Sequence, residues 1–236
     1  MRRRSPGNLL RDELLPERIA RVEAVDPERV VRELEPLVTE QRRQRLKDVI
    51  ERRLTSVTVV FDSPYDPHNG AAVIRTCEAF GVQRLSVLER GKPFLAASTV
   101  ARGAHKWIDV ATFQDAGALV RSLDGYTLVA AEPGGELVPR DLVGLPKIAL
   151  VVGNEREGVG PDLRRACTTT VRVPMRGFVE SLNVSVTTAI LVSAATEGRP
   201  GDLGAADKLR LYARGLYFSV QHADDVLTIG GNSDKF

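Results

Sequence analysis

Residues 39–54 give the first clear period of the chain. Leu46, Val49, Ile50 and Leu54 return at helical spacing, and Arg42, Arg43, Arg45, Lys47, Arg52 and Arg53 fill the remaining faces. The pattern predicts an amphipathic, mostly basic helix. From 56 onward the rhythm changes to short apolar runs at 56–61, 85–88, 127–131, 148–152 and 170–173, which read as strands. Helical stretches lie between them, over 70–80 and near 95–103, 114–122, 160–166 and 181–197, the first ended by Gly81. Such alternation predicts an α/β fold with a mainly parallel sheet and helices on both faces, whose sites lie in loops beyond the carboxyl ends of the strands. A last helix over 205–220, carrying Leu209, Leu211, Tyr212, Leu216, Tyr217 and Phe218, is expected to dock on the body or on a second subunit. Residues 1–38 are charged and interrupted by Pro6, Pro16, Pro27 and Pro36, so they are expected to form short helices or arms without a core. Three regions follow: an N-terminal extension with the basic helix at 1–54, a main domain at 55–200, and a C-terminal helix and tail at 201–236.

Hydrophobic residues make up 43% of the chain, ample for a real core, and the formal net charge is only +2. In a chain so nearly neutral, a nucleic-acid surface is a local patch. Arg42, Arg43 and Lys47 on the basic helix offer one, and a solvated face balanced by Glu40, Asp48 and Glu51 is the alternative. Cys77 and Cys167 lack metal-ligand spacing and read as buried free thiols of a reducing compartment. Pro6 and polar residues follow Met1-Arg2-Arg3-Arg4, so no signal peptide is expected, and no apolar run approaches the ~20 residues of a membrane span. A cytoplasmic protein without membrane contact is the expectation.

Three post-strand loops carry candidate chemistry. Asp66-Pro67-His68-Asn69-Gly70 leads into Ala71-Ala72-Val73-Ile74-Arg75-Thr76, with Asn69 and Gly70 where a helix N-cap belongs and Arg75 on the first turns, able to clamp a phosphate. An ordinary cap with a surface arginine is the other reading. Gly153-Asn154-Glu155-Arg156-Glu157-Gly158-Val159-Gly160-Pro161 follows the run at 148–152, and its glycines permit tight turns and close ligand approach. Val159 and Gly160 stand where a P-loop has its lysine and hydroxyl residue, and no G-x-G-x-x-G follows a strand, which argues against triphosphate and dinucleotide sites. The third loop, 173–185, enters a long helix through Ser181, Asn183 and Ser185 among apolar neighbours. That mixture suits a cofactor with an apolar ring and polar edges, or capping alone.

In order along the chain, Pro67-His68-Asn69 to Arg75-Thr76, Gly103-Ala104-His105-Lys106-Trp107, Val152-Gly153-Asn154-Glu155 to Gly158, and Pro174-Met175 to Ser181-Leu182-Asn183-Val184-Ser185 resemble the motifs of the SpoU branch of the SPOUT methyltransferases. Within that branch the likeness is to the tRNA guanosine 2′-O-methyltransferases of TrmH type, and it spans about residues 40–197. The resemblance implies a deep trefoil knot over about 126–197, a homodimer, and S-adenosyl-L-methionine held by Ala131, Gly153, Val173, Met175 and Leu182. It implies methylation of a ribose 2′-hydroxyl in tRNA, at guanosine 18 of the D-loop. Arg75 would act on that hydroxyl, Asn69 and Asn183 would orient Arg75 and the ribose, Glu155 would position the arginine or an interface partner, and Ser181 would shape the loop. His105 and Lys106 fall in the segment that marks tRNA-type members and are expected to touch RNA, with core packing of Trp107 as the rival.

Methyl transfer from a sulfonium needs in-line placement of the oxygen and no metal, and His68 and His105 are too isolated for zinc. Since arginine stays protonated, Arg75 is expected to bind the phosphate beside the target ribose, and that phosphate to help remove the proton. Residues 1–38 lengthen the N-terminus beyond the compact tRNA-type pattern, which leaves an rRNA ribose methyltransferase as the runner-up. A catalytically silent RNA-binding protein and a nucleotide-binding regulatory module are the readings from other classes.

Overall fold

Asp26 accepts the Arg29 N–H at 3.0 Å and Pro27 takes the first helical position, where no N–H is needed, so a helix begins where the sequence suggested a break. The computed structural model describes residues 15–91, 94, 103–154 and 156–230. It runs through α1 (Leu15–Glu23), α2 (Pro27–Leu34), α3 (Glu40–Ile50), β1 (Val57–Asp62), α4 (Pro67–Ala79), β2 (Arg84–Leu88), β3 (Asp109–Phe113) and α5 (Ala116–Ser122). There follow β4 (Thr127–Ala131), β5 (Ile148–Val152), α6 (Pro161–Ala166), β6 (Thr169–Val171), α7 (Val184–Thr196), α8 (Ala205–Tyr217) and α9 (Ala223–Gly230). The chain divides into two compact units, one made of 1–53 with 201–236 and the other of 54–200. The two segments set apart at the ends of the sequence thus come together. The helix expected near 95–103 lies almost wholly outside the described residues.

In the first unit, residues 15–38 do build a core, contrary to the expectation from their prolines. Leu15, Val22, Val30, Leu34 and Val38 are buried, and so are Leu46 and Ile50 of α3 and Leu211, Leu216 and Tyr217 of α8. The α3–α8 contact is close: a Cβ on Gly215 would lie 2.8 Å from Leu46 Cδ2. The Tyr212 hydroxyl donates to Glu35 Oε1 at 2.6 Å, tying α8 to the turn after α2.

In the second unit, β1 is buried at every position, which a strand tolerates only between two helical layers. All pairings of the six-stranded sheet are parallel, in the order β3-β2-β1-β5-β4-β6, with Val59 opposite both Leu85 and Leu150. One face, with Val57, Val59, Phe61, Ile148, Leu150 and Val152, packs under Val73, Ile74 and Cys77 of α4 and Leu191 and Val192 of α7. The other face, with Val60, Ala149 and Val151, packs under Leu119 of α5 and Leu163 of α6. Cys77 is buried and Cys167 half-buried, neither in a disulfide, and burial pushes the Cys167 thiol up to about 11. No helix among the described residues is long and apolar enough to cross a membrane.

Leu34→Ala is expected to cost about 2–5 kcal/mol by the cavity it leaves in the first unit, read as a lower midpoint in denaturant unfolding. An unchanged midpoint would contradict a packed core there.

Candidate active site

The carboxyl ends of β4, β5 and β6 open into a cleft of about 520 Å³. Its shape follows from backbone packing. The chain leaves β5 at Gly153, and the N–H of Asn154 and of Gly158 each donates to the other's carbonyl, at 3.2 and 3.1 Å. Asn154 Oδ1 accepts the N–H groups of Arg156 and Glu157 at 2.9 and 2.8 Å, while Gly158 supplies the left-handed turn at φ +69°. A Cβ on Gly153 would lie 1.9 Å from the Gly158 carbonyl carbon, so only glycine fits. On the opposite wall the segment after β4 is laced to β6. Glu132 N–H donates to Val171, Leu137 N–H to Thr170 and Arg172 N–H to Leu137, each at 2.9 Å.

The third wall leads into α7. Asn183 caps that helix, its Oδ1 accepting the Ser185 N–H at 2.9 Å, and its Nδ2 donates to Asn69 Oδ1 at 3.1 Å. Asn69 is not the cap of α4. That role falls to Asp66, which accepts the His68 N–H at 2.8 Å, with Pro67 behind it in the first turn, so Asn69 lies buried inside the helix with its amide directed to Asn183.

Ala131, Gly153, Val173, Met175 and Leu182 all line this cleft, together with Ser181 and Asn183. Arg75 does not join them. It lies exposed on α4, six residues beyond Asn69 and so turned about 120° from it at the α-helical pitch. Glu155 lies outside the described residues. Arg42, Arg43 and Lys47 belong to the other unit, where Arg42 Nε donates to Ser219 Oγ at 3.0 Å, Arg43 pairs with Glu40, and Lys47 stands 3.4 Å from Glu35 Oε1 and 5.1 Å from the Tyr212 ring centre. Arg42 and Lys47 thus reach to neighbouring segments of that unit, and Arg43 pairs within α3. His105 and Lys106 form a half-buried 3-10 turn with Ala104, beside Trp107. No group of three or more metal-ligating side chains occurs among the described residues.

One arrangement escaped the sequence reading. Asp62, buried at the end of β1, accepts Arg90 Nε at 2.8 Å and the Gly160 N–H at 2.7 Å, and Arg90 continues to Asp162 Oδ2 at 2.9 Å. It anchors the far end of the β5 loop. The hydrogen bonds from Arg90 hold the Asp162 carboxyl below the usual carboxylate range, and both aspartates push Arg90 up. The available signal was an acid closing an otherwise apolar strand.

The family model of the SpoU rRNA methylases matches residues 56–193. The tRNA (guanosine(18)-2′-O)-methyltransferase of Aquifex aeolicus is 33% identical over 170 residues, 70% of this chain and 81% of that protein. The crystal structure of the A. aeolicus TrmH/SpoU tRNA modifying enzyme matches with a TM-score of 0.68 at 30% identity, over 77% of this chain and 98% of that one. The AdoMet-bound rRNA methyltransferase from Sinorhizobium meliloti matches at 0.53 and 27%, over 64% and 59%. With the parallel sheet and its terminal cleft, these likenesses define an RNA methyltransferase. The chain belongs to the SpoU rRNA methylase family, and its cofactor is S-adenosylmethionine. The cleft fits that molecule: Val152, Val171 and Leu182 offer apolar surface to a ring, and Glu180, with the second oxygen of Glu132 beside the one paired to Arg164 Nε at 2.6 Å, offers negative charge to a ligand bearing a sulfonium and an ammonium.

Gly153→Ala is expected to weaken S-adenosylmethionine binding at least about tenfold in calorimetry, since the β5 loop must open to admit a methyl group. Gly134→Ala, where a Cβ meets nothing within 4 Å, is expected to leave it unchanged, and equal behaviour of the two would contradict the packing described. Because its acidity is raised in the folded state, Asp162 contributes stability above about pH 4 that is lost as pH falls through its depressed value. The stability gap between wild type and Asp162→Asn is therefore expected to close on acidification, and a gap that widened would contradict the pairing.

Proposed function

We propose that this protein methylates the ribose 2′-hydroxyl of guanosine 18 in the D-loop of tRNA, acting as a cytoplasmic homodimer whose 126–197 segment is knotted. The observation that carries the reading is the cleft itself, where Ala131, Gly153, Val173, Met175 and Leu182 converge from the three loops after β4, β5 and β6 with Ser181 and Asn183. The A. aeolicus relative named for guanosine 18 supports the choice of RNA and position.

When bound, S-adenosylmethionine supplies an electrophilic methyl group on a sulfonium. The protein's part is to hold the sugar oxygen in line and to deal with its proton. Arg75 binds the phosphate beside the target ribose through a permanently charged guanidinium, and that phosphate helps remove the proton from the 2′-oxygen. Asn183, fixed by Ser185 and Asn69, orients the ribose, and Ser181 shapes the loop beside it. Glu155 positions that arginine or an interface partner. The outward direction of Arg75 supports a site completed across two subunits, and the exposed Phe178, Val179 and Val186 supply apolar surface for the second copy. His105, Lys106, Arg42, Arg43 and Lys47 are assigned to the RNA.

Incubation with labelled S-adenosylmethionine and separate tRNA and rRNA transcripts tests the reading. Label at one guanosine of tRNA is expected; label confined to rRNA would replace the substrate, and no label in either would remove the reaction. Arg75→Ala is expected to lower turnover at least about 100-fold with cofactor affinity retained, and intact turnover would refute its role.

A further inference from the structure

Across the β5 loop from the cofactor cleft, the carboxyl ends of β1 and β2 enclose a second space of about 480 Å³, bordered by Tyr65, Asp66, Glu89, Arg90, Arg156 and Glu157. Asn154 lines both spaces, so they are neighbours separated by one turn of chain. The second space stands where connections leave the adjacent strands β1 and β5 in opposite directions, the place where open parallel sheets take ligands. Its rim is built with some strain. Ser63 holds φ +49°, a left-handed conformation uncommon outside glycine, and this turn carries Pro64 and Tyr65 to the opening. Tyr65 remains 54% exposed, with the Arg156 guanidinium stacked 3.9 Å from its ring centre.

We propose that this space receives the base of the nucleotide being methylated, with the Tyr65–Arg156 stack as its platform and guanine as the preferred base; the assignment rests on the RNA-methylation reading above. A planar ring backed by a cation stacks any unpaired base, and the bases of RNA loops are the ones free to be received. The walls add selectivity. Asp66, Glu89 and Glu157 are acceptor-only when ionised. Glu89 accepts the Phe94 N–H at 2.6 Å on one oxygen and the Gln114 amide on the other, and Asp66 Oδ1 accepts the His68 N–H at 2.8 Å, so among the described residues Glu157 is the lining carboxylate with both oxygens open to a ligand. Guanine is the base whose pairing edge carries two adjacent donors, N1–H and N2–H, matched to the two oxygens of one carboxylate. With the base in this space, the shared Asn154 sets its sugar toward the cofactor side.

The test uses the full chain and fluorescein-labelled five-nucleotide single-stranded RNAs, uridine-rich with a central G, A or C, read by anisotropy. Cofactor calorimetry and melting temperature are measured in parallel. Tyr65→Ala is expected to weaken binding of the G-centred RNA about tenfold, Tyr65→Phe to keep it, and both to leave cofactor affinity and melting temperature in place. Glu157→Gln is expected to erase the preference for the G-centred RNA. Equal RNA binding by wild type and Tyr65→Ala, or a loss matched by cofactor affinity and melting temperature, overturns the base site, and a guanine preference that survives Glu157→Gln overturns its assignment to guanine. These readouts need no turnover. Their failure leaves the methylation reading standing, whereas Tyr65-dependent binding by a protein that labels no RNA removes that reading and retains the site.

Discussion

The backbone of Gly153 lies against the carbonyl of Gly158 so closely that neither a side chain nor a solvent molecule fits between them. Nearly everything about the site depends on that contact. It lets the chain leave β5 and return within five residues, closed by the reciprocal Asn154–Gly158 hydrogen bonds, and so keeps the ends of β4 and β6 open to a ligand. The far end of the same loop is held by side chains: a Cβ on Gly160 would lie 2.9 Å from Asp62 Oδ2, whose carboxylate already holds Arg90 and the Gly160 N–H. A loop pinned at both ends presents backbone groups in fixed directions, the kind of preorganisation that ligand sites require.

The parallel sheet explains why two spaces sit side by side. With every strand pointing the same way, all carboxyl ends emerge on one edge, and the chain reverses its direction of progress between β1 and β5. The β5 loop rises at that reversal and divides the edge. On one side the walls carry Val152, Val171 and Leu182 with Glu132 and Glu180, and on the other Tyr65 and Arg156 stack at the rim. Asn69 and Asn183, 114 residues apart, link α4 to the start of α7 and hold the third wall of the cofactor side.

Much of this was legible in the sequence where local pattern and tertiary burial agree. The apolar runs 127–131 and 148–152 coincide with β4 and β5 because strands buried on both faces must be continuously apolar. Strand β3 escaped notice for the converse reason: at the edge of the sheet its middle residues Val110, Ala111 and Thr112 are exposed, so Asp109–Phe113 needs no such run. The start of α4 was misplaced because Asp66-Pro67 and Asn69-Gly70 are both sound helix openings, and only the partner on α7 claims the Asn69 amide. The core of residues 15–38 was hidden because its partners, such as Leu211, Leu216 and Tyr217, lie far along the chain, and because prolines at helix starts resemble prolines that break helices. Of the site, the glycines and the 181–183 stretch were readable as loop chemistry. The outward direction of Arg75 and the Asp62–Arg90–Asp162 ties were not, since both depend on how helices and loops turn in space.

The central physical claim is that a cleft framed by the loops after β4, β5 and β6 is the cofactor's seat. Amide hydrogen exchange of the full chain, with and without saturating S-adenosylmethionine, addresses it most directly. The account predicts protection concentrated at 131–135, 153–158 and 173–185, with β2, β3 and their loops unchanged. Protection centred on the ends of β1 and β2, or none at the β5 loop, would contradict it.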